Sequence, residues 1–220
     1  MAFRLVLLGA PGSGKGTLAV QLSKRRRIAH LSPGELFRQE IRRNSALGRR
    51  VSRFVASGRL VPDATVVRVI TNRLSKRLLT QGFVLDGFPR TVGQAQGLEK
   101  FLTRLKQPLD GAIALTCPER GLVSRLSGRR VCGKCGAIYH IRNMRPTRAG
   151  RCDVCNSPLI IRKDDQGATI RKRLAIDRKQ AKPLLDYYRK QGLLYTLPSG
   201  TSSEVTYKAA VELFKRQGWS

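Results

Sequence analysis

A glycine-rich segment near the start of the chain constrains its fold more than any other feature. In Gly9-Ala10-Pro11-Gly12-Ser13-Gly14-Lys15, two glycines enclose four residues and a lysine follows. That pattern builds a phosphate-binding loop only when a strand precedes it and a helix follows. Both flanks fit. Phe3 to Leu8 is a short apolar run, and Lys15 to about Arg26 has a helical pattern. Glycines let backbone N–H groups turn inward around phosphate oxygens, and the helix aims its positive end at them. Lys15 would reach the outer phosphates as a point charge. Gly16, rather than Ser or Thr, follows the lysine and Thr17 comes one later. A hydroxyl beside the lysine is therefore not where Mg²⁺ is expected.

Strand and helix patterns then alternate. Ile28 to Leu31 reads as a short strand, and Ser32-Pro33-Gly34-Glu35 as a helix start, with Ser32 the cap, Pro33 the first helical residue and Glu35 the reciprocal partner of a capping box. Helices are expected over Leu36 to Arg43, Ala46 to Ser57 (stopped by Gly58) and Ala64 to Leu79, the last capped by Asp63. Phe83 to Asp86 and Ile113 to Thr116 read as strands; Gln94 to Leu105 and Pro118 to Leu126 read as helices. A long helix from Thr169 to Lys190, a strand from Leu193 to Leu197 and a helix from Glu204 to Gln217 close the pattern. Such alternation predicts a parallel sheet covered by helices on both faces.

Between about Gly128 and Asp165 the composition changes to cysteine, glycine and proline with few large apolar groups. Cys132-x2-Cys135 and Cys152-x2-Cys155, sixteen residues apart, match a four-cysteine zinc template. Nothing suggests secretion, and thiols in the cytosol stay reduced, so a metal is expected rather than disulfides. Four thiolates leave no open coordination position, so the Zn²⁺ would be structural. Cys117, outside the pattern, is expected buried at a strand end.

The chain has 43 Lys and Arg against 14 Asp and Glu, a formal charge of +29 over 220 residues. A phosphate pocket uses only a minority of those cations. The remainder fits either nonspecific attraction to nucleic acid, ribosomes or anionic lipid, or a general basic bias without a partner. No apolar run reaches bilayer-spanning length, and the N-terminus runs straight into a strand. A cytoplasmic protein, monomeric for want of any feature demanding a second subunit, is expected.

Further motifs stand in order along nearly the whole chain: Leu85-Asp86-Gly87-Phe88-Pro89-Arg90-Thr91 with Gln94-Ala95, then Ser127-Gly128-Arg129-Arg130, Arg162-Lys163-Asp164-Asp165 and Arg171-Lys172-Arg173-Leu174. With Gly9 to Thr17 they resemble the adenylate kinase family, in its long-lid, zinc-bearing form. The resemblance implies a P-loop α/β core (1–31, 62–127 and 166–220), an AMP-binding helical lobe (32–61) and a zinc-stapled lid (128–165). It implies phosphoryl transfer from ATP to AMP, giving two ADP. Lys15, Arg129, Arg162 and Arg173 would surround the transferring group, with Arg90 beside them and Asp86 orienting Mg²⁺ through its water shell. ATP would lie against Gly12, Ser13, Gly14, Lys15, Gly16, Thr17, Arg125, Arg129, Ile138 and Tyr139. AMP would meet Arg38, Arg59, Leu60, Val61, Gly87, Phe88, Pro89, Arg90, Gln94, Arg162 and Arg173. Cys132, Cys135, Cys152 and Cys155 would hold the Zn²⁺.

The residue types suit that chemistry independently. AMP brings its own anionic nucleophile, so the barrier is one of charge, and forked, permanently charged arginines answer it. There are two histidines, His30 and His140, and no serine–histidine constellation. On the acceptor side the chain departs from the family: Pro33 and Glu35 replace the usual Thr and Asp, and Ala64-Thr65 and Gly167-Ala168 replace positions often acidic. Base specificity thus stays open, and a nucleoside monophosphate kinase of other preference is one alternative. A basic, nucleic-acid- or ribosome-associated zinc protein with a secondary kinase activity is the other.

Overall fold

The computed structural model describes residues 3–200 and 202–219. Its centre is a five-stranded, all-parallel sheet of β1 (Arg4–Leu8), β2 (Ala29–Leu31), β3 (Phe83–Asp86), β4 (Gly111–Thr116) and a later strand, Leu194–Pro198. Between β4 and that strand lies a small antiparallel sheet of β5 (Arg129–Cys132), β6 (Ile138–His140) and β7 (Leu159–Ile160), so Leu194–Pro198 is β8. The large sheet runs β2-β3-β1-β4-β8. The chain therefore lays strands on one side of β1 and then on the other.

Helices cover both faces, and the strands show why. Successive side chains on a strand point to opposite faces. Val6 and Leu8 join Phe83, Leu85, Ala112 and Ala114 in one core, whereas Leu5 and Leu7 join Val84, Ile113 and Leu115 in the other. The second core is closed by α1 (Lys15–Arg26), through Leu18, Ala19 and Leu22, and by a C-terminal helix, Ser203–Arg216. The first takes α2 (Pro33–Arg42), α3 (Ala46–Ala56), α4 (Asp63–Arg73), α5 (Lys76–Gln81), α6 (Val92–Arg104) and a long helix, Gly167–Lys190. A short α7 (Leu122–Ser127) makes Gly167–Lys190 α8 and Ser203–Arg216 α9. No described helix is long and apolar enough to cross a membrane.

Several local expectations are corrected. Ser32 does precede α2 in extended conformation with Pro33 opening the helix, but its side chain makes no capping bond. Glu35 does not reach back to complete a box, because its carboxylate faces Arg38, Arg42 and Arg162 instead. The expected helix over Ala64 to Leu79 breaks at Leu74-Ser75, where the Ser75 hydroxyl accepts from Leu78 N–H and caps α5. Asp63 is the first residue of α4 rather than its cap, and its carboxylate accepts from Thr91 and Gln94. Pro118 precedes a 3₁₀ turn, Glu119–Gly121, before α7 begins. Cys117 lies just past β4 and is half-buried, not buried.

Candidate active site at the carboxyl ends of the strands

The glycine-rich loop leaves β1 where the sheet's connections reverse direction, the position at which open parallel sheets bind ligands. Gly9, Gly12 and Gly14 all have positive φ, of 129°, 87° and 98°. A Cβ on Gly9 would stand 2.5 Å from the Leu115 carbonyl oxygen, so this turn against β4 admits only glycine. Gly14 then caps α1 in the left-handed conformation. The loop curls around its own lysine. Lys15 Nζ donates to the carbonyls of Gly9 and Ala10 and, at 3.5 Å, to Ser13 Oγ. Burial lowers its pKa to about 8 against the opposing pull of Asp86 and Asp177.

Gly16 acquires a physical reason. A Cβ there would meet Asp86 Oδ2 at 3.1 Å and Ile138 Cδ1 at 3.5 Å. A serine or threonine would put its hydroxyl where the Asp86 carboxylate already sits, at the end of β3. Thr17 is half-buried one residue on. His30 Nε2 lies 3.6 Å from Asp86 Oδ2, because β2 pairs with β3 in a register that sets His30 beside Val84. Burial alone would raise the Asp86 pKa, but His30 and Lys15 together hold it below the usual carboxylate value.

The arginines converge from separate elements. Arg129 on β5 makes a bidentate pair with Asp165, at 2.7 and 2.5 Å. Arg173 on α8 donates to Asp165 Oδ1 at 2.8 Å and stands 3.0 Å from Asp164 Oδ2. Asp165 therefore joins a cation of the small sheet to one of the long helix, with no side-chain surface left exposed. Arg162 lies 3.5 Å from Glu35, and its Nε is buried without a partner. Burial, reinforced by Arg38 and Arg129, lowers the Arg162 pKa to about 9. Arg38 pairs with the same Glu35 at 3.2 Å. Arg90 folds back through Nε to the Gly87 carbonyl at 2.9 Å. A cavity between these groups is lined by Arg90, Arg173, Asp177, Gly58, Leu60 and Pro11, among others.

Other expected site residues fall around this centre. Arg125 on α7 donates to Ser199 Oγ at 3.1 Å, and that hydroxyl faces Gly14. Ser13 and Phe88 are fully buried; Val61 is buried and Leu60 half-buried beside the cavity, whereas Arg59 is exposed. Gln94 is buried, with its carbonyl accepting from Arg90 N–H and its amide donating to Asp63, both at 2.8 Å. One N–H and one lone pair remain for a ligand. Ile138 reaches the start of α1. Tyr139 is placed differently from its neighbour: its hydroxyl accepts from Asp153 N–H at 2.8 Å and stands 3.5 Å from Cys152 Sγ, inside the small sheet. His140 packs on Gly128, and its Nδ1 accepts from the N–H groups of Arg142 and Asn143.

The four cysteines meet as their spacing requires. Their sulfurs lie within 4.8 Å of one another, with Cys132–Cys155 at 3.4 Å and Cys135–Cys152 at 3.5 Å. Thiolates about 2.3 Å from one metal ion in a tetrahedron stand about 3.8 Å apart, so the donor set fits a metal. All four are free thiols.

The residues that sequence reasoning passed over are the acids. Glu35, beyond its expected place in a capping box, and Asp164, Asp165 and Asp177 received no role in the site, and neither did His30. In a chain with 14 carboxylates against 43 cations, two aspartates two and three residues after Arg162 were a usable signal. Asp177 and His30 gave none, since only folding brings them to Lys15 and Asp86.

Comparison with known proteins agrees with this geometry. The family model described as adenylate kinase matches residues 7–193. An adenylate kinase of Moorella thermoacetica is 46% identical, over 87% of this chain and 88% of its own length. One of Caldicellulosiruptor bescii is 44% identical over 87% and 89%, and one of Clostridium botulinum 44% over 91% and 92%. Matched by that family model over residues 7–193 and 44–46% identical to these enzymes across most of its length, the chain belongs to the adenylate kinase family of phosphoryl-transferring enzymes.

Proposed function

We propose that the enzyme transfers the terminal phosphoryl group of ATP reversibly to AMP, giving two ADP. The observation that carries this is a linked set of cations, with Arg90 and Arg173 lining the cavity, Lys15 beside them, Arg129 tied to Arg173 by Asp165 and Arg162 next to Arg129, and no nucleophile–base pair there among the described residues. Reactions between two polyanions need positioning and neutralisation rather than proton transfer.

The donor phosphates would lie in the loop from Gly12 to Thr17, drawn by inward N–H groups and Lys15. Arg125, near Ser199 and Gly14, would face the donor's base. Arg38, Arg90 and Arg162 would clamp the acceptor phosphate, and Arg129 and Arg173 the group in flight. Mg²⁺, when present with ATP, would supply further charge neutralisation, held through water by Asp86. His30 supports that role by keeping the carboxylate ionised. Leu60, Val61 and Gln94 would meet the acceptor base.

In the same reading, 1–31, 62–127 and 166–220 form the core, 32–61 the acceptor lobe and 128–165 a lid. Arg129 and Arg162 flank the lid, so its closure delivers both to the phosphates and excludes water. The four thiolates suit Zn²⁺ in a structural role, since a lobe this short of apolar groups needs a staple. We place the enzyme in the cytoplasm as a monomer.

A second reading, nonspecific nucleic-acid binding beside catalysis, is favoured by one feature. Arg142, Arg145, Arg148 and Arg151 are all exposed, and none forms an ion pair among the described residues. Such binding should weaken steeply with salt. The primary test is a coupled assay with ATP, Mg²⁺ and a panel of monophosphates. AMP should be the preferred acceptor; equal turnover of UMP or GMP would refute the adenylate assignment.

A further inference from the structure

Asp177 is the one carboxylate lining the cavity between Arg90, Arg173 and Leu60. It sits on α8 one turn beyond Arg173, so both side chains project from the same helix face, about 6 Å apart along the axis. Three cations face it: Lys15 from the first turn of α1, Arg90 from the loop after β3, and Arg173 from α8 itself. None of them, among the described residues, forms an ion pair or a hydrogen bond with it. Burial pushes its carboxyl above the usual range. A partly buried carboxylate without a bonded partner, opening onto a ligand cavity, is a costly arrangement unless a ligand completes it.

The chemistry of the ligand narrows what that group is. Ionised phosphate oxygens only accept hydrogen bonds and would be repelled. In that assignment the acceptor base lies toward Leu60, Val61 and Gln94, while its phosphate lies at Arg90, with the transferring group beyond it at Arg173. The part of a nucleoside monophosphate between base and phosphate is its ribose, whose hydroxyls are donors. We propose that Asp177 accepts hydrogen bonds from the ribose hydroxyls of the acceptor nucleotide and thereby selects ribonucleotides over deoxyribonucleotides. This rests on the acceptor assignment made above. One helical turn from the phosphate clamp corresponds to the span of one sugar beyond its 5′-phosphate. A carboxylate reading a ribose hydroxyl has the same logic as the acidic residue of dinucleotide-binding folds.

The test compares AMP, 2′-deoxyAMP and 3′-deoxyAMP in wild type, Asp177→Ala and Asp177→Asn, with ATP held saturating. Wild type should prefer AMP over at least one deoxy analogue by roughly ten- to hundredfold in kcat/KM, the worth of a hydrogen bond to a charged group. Asp177→Ala should raise the KM for AMP by a similar factor and bring the ribose-to-deoxyribose ratio near one. Asp177→Asn, which keeps one accepting oxygen, should fall between. An unaltered ratio in the alanine variant would overturn the proposal. So would a lower KM for AMP, which would make Asp177 a source of repulsion. Calorimetric binding of the same three nucleotides reads the ratio without turnover. A wild type that bound AMP but transferred no phosphoryl would refute the reaction, and the binding ratio would still decide the role of Asp177.

Discussion

Asp165 offers the sharpest test of how the site is held before substrates arrive. Its carboxylate has no exposed surface and accepts three charge-assisted hydrogen bonds, two from Arg129 and one from Arg173. Asp165→Asn is nearly isosteric but removes the charge and turns an amide N–H toward a guanidinium. Removing one partner of a buried ion pair costs about 3–5 kcal/mol, because the other charges stay behind uncompensated. For a domain of this size each kcal/mol lowers Tm by about 2–4 °C, so the variant should melt about 6–20 °C below wild type. A saturating bisubstrate polyphosphate or ADP should stabilise the variant more than wild type, since added phosphates would supply the missing negative charge to Arg129 and Arg173. Calorimetry with and without nucleotide reads both effects. A fall in Tm of under about 2 °C would show that Asp165 does not hold these cations, and equal nucleotide shifts in both proteins would refute the substitution of carboxylate by phosphate.

Three further outcomes follow from the same geometry. Lys15, with its pKa lowered to about 8, is half neutral in the empty enzyme at that pH. Bound phosphates restore its proton, so ATP binding should take up protons and weaken as pH rises above about 8, and Lys15→Arg should flatten that profile. The same depressed pKa makes the unfolded chain bind more protons between about 8 and its ordinary value of 10.5, so this lysine's contribution to stability should rise with pH across that window. Gly16→Ser would set its Cβ 3.1 Å from Asp86 Oδ2, and should displace that carboxylate and lower kcat about tenfold or more with little change in Tm; unchanged kcat would refute the reason given for this glycine. Elemental analysis should find about one zinc per chain, and a strong chelator should melt the small sheet before the core; four titratable thiols without metal would refute it.

Much of this was readable from local sequence because the physics is local. Gly9, Gly12 and Gly14 announce a phosphate loop since no side chain tolerates their positive φ or, at Gly9, the contact with Leu115. The paired cysteines announce by spacing a four-sulfur cluster that could hold a metal, and alternating apolar runs separate Leu5 and Leu7 from Val6 and Leu8 onto two cores. What misled was also local. Ser32 and Glu35 have capping-box spacing, yet three arginines outcompete one backbone N–H for the Glu35 carboxylate. Asp63 has the right chemistry for a cap, but Thr91 and Gln94 claim it from 28 and 31 residues away.

The sequence by itself determined which cations stand in the ordered motifs and the loop that precedes them, because permanent charge and loop geometry are properties of short segments. Tertiary structure alone decided their counter-charges. Asp165 on Arg129, Glu35 on Arg162 and His30 beside Asp86 are pairings across the fold, and Asp177 stands over the cleft with no bonded partner among the described residues. An arginine's motif says that it must meet a phosphate. Which carboxylate keeps its place until then depends on desolvation and distance, which no stretch of sequence encodes.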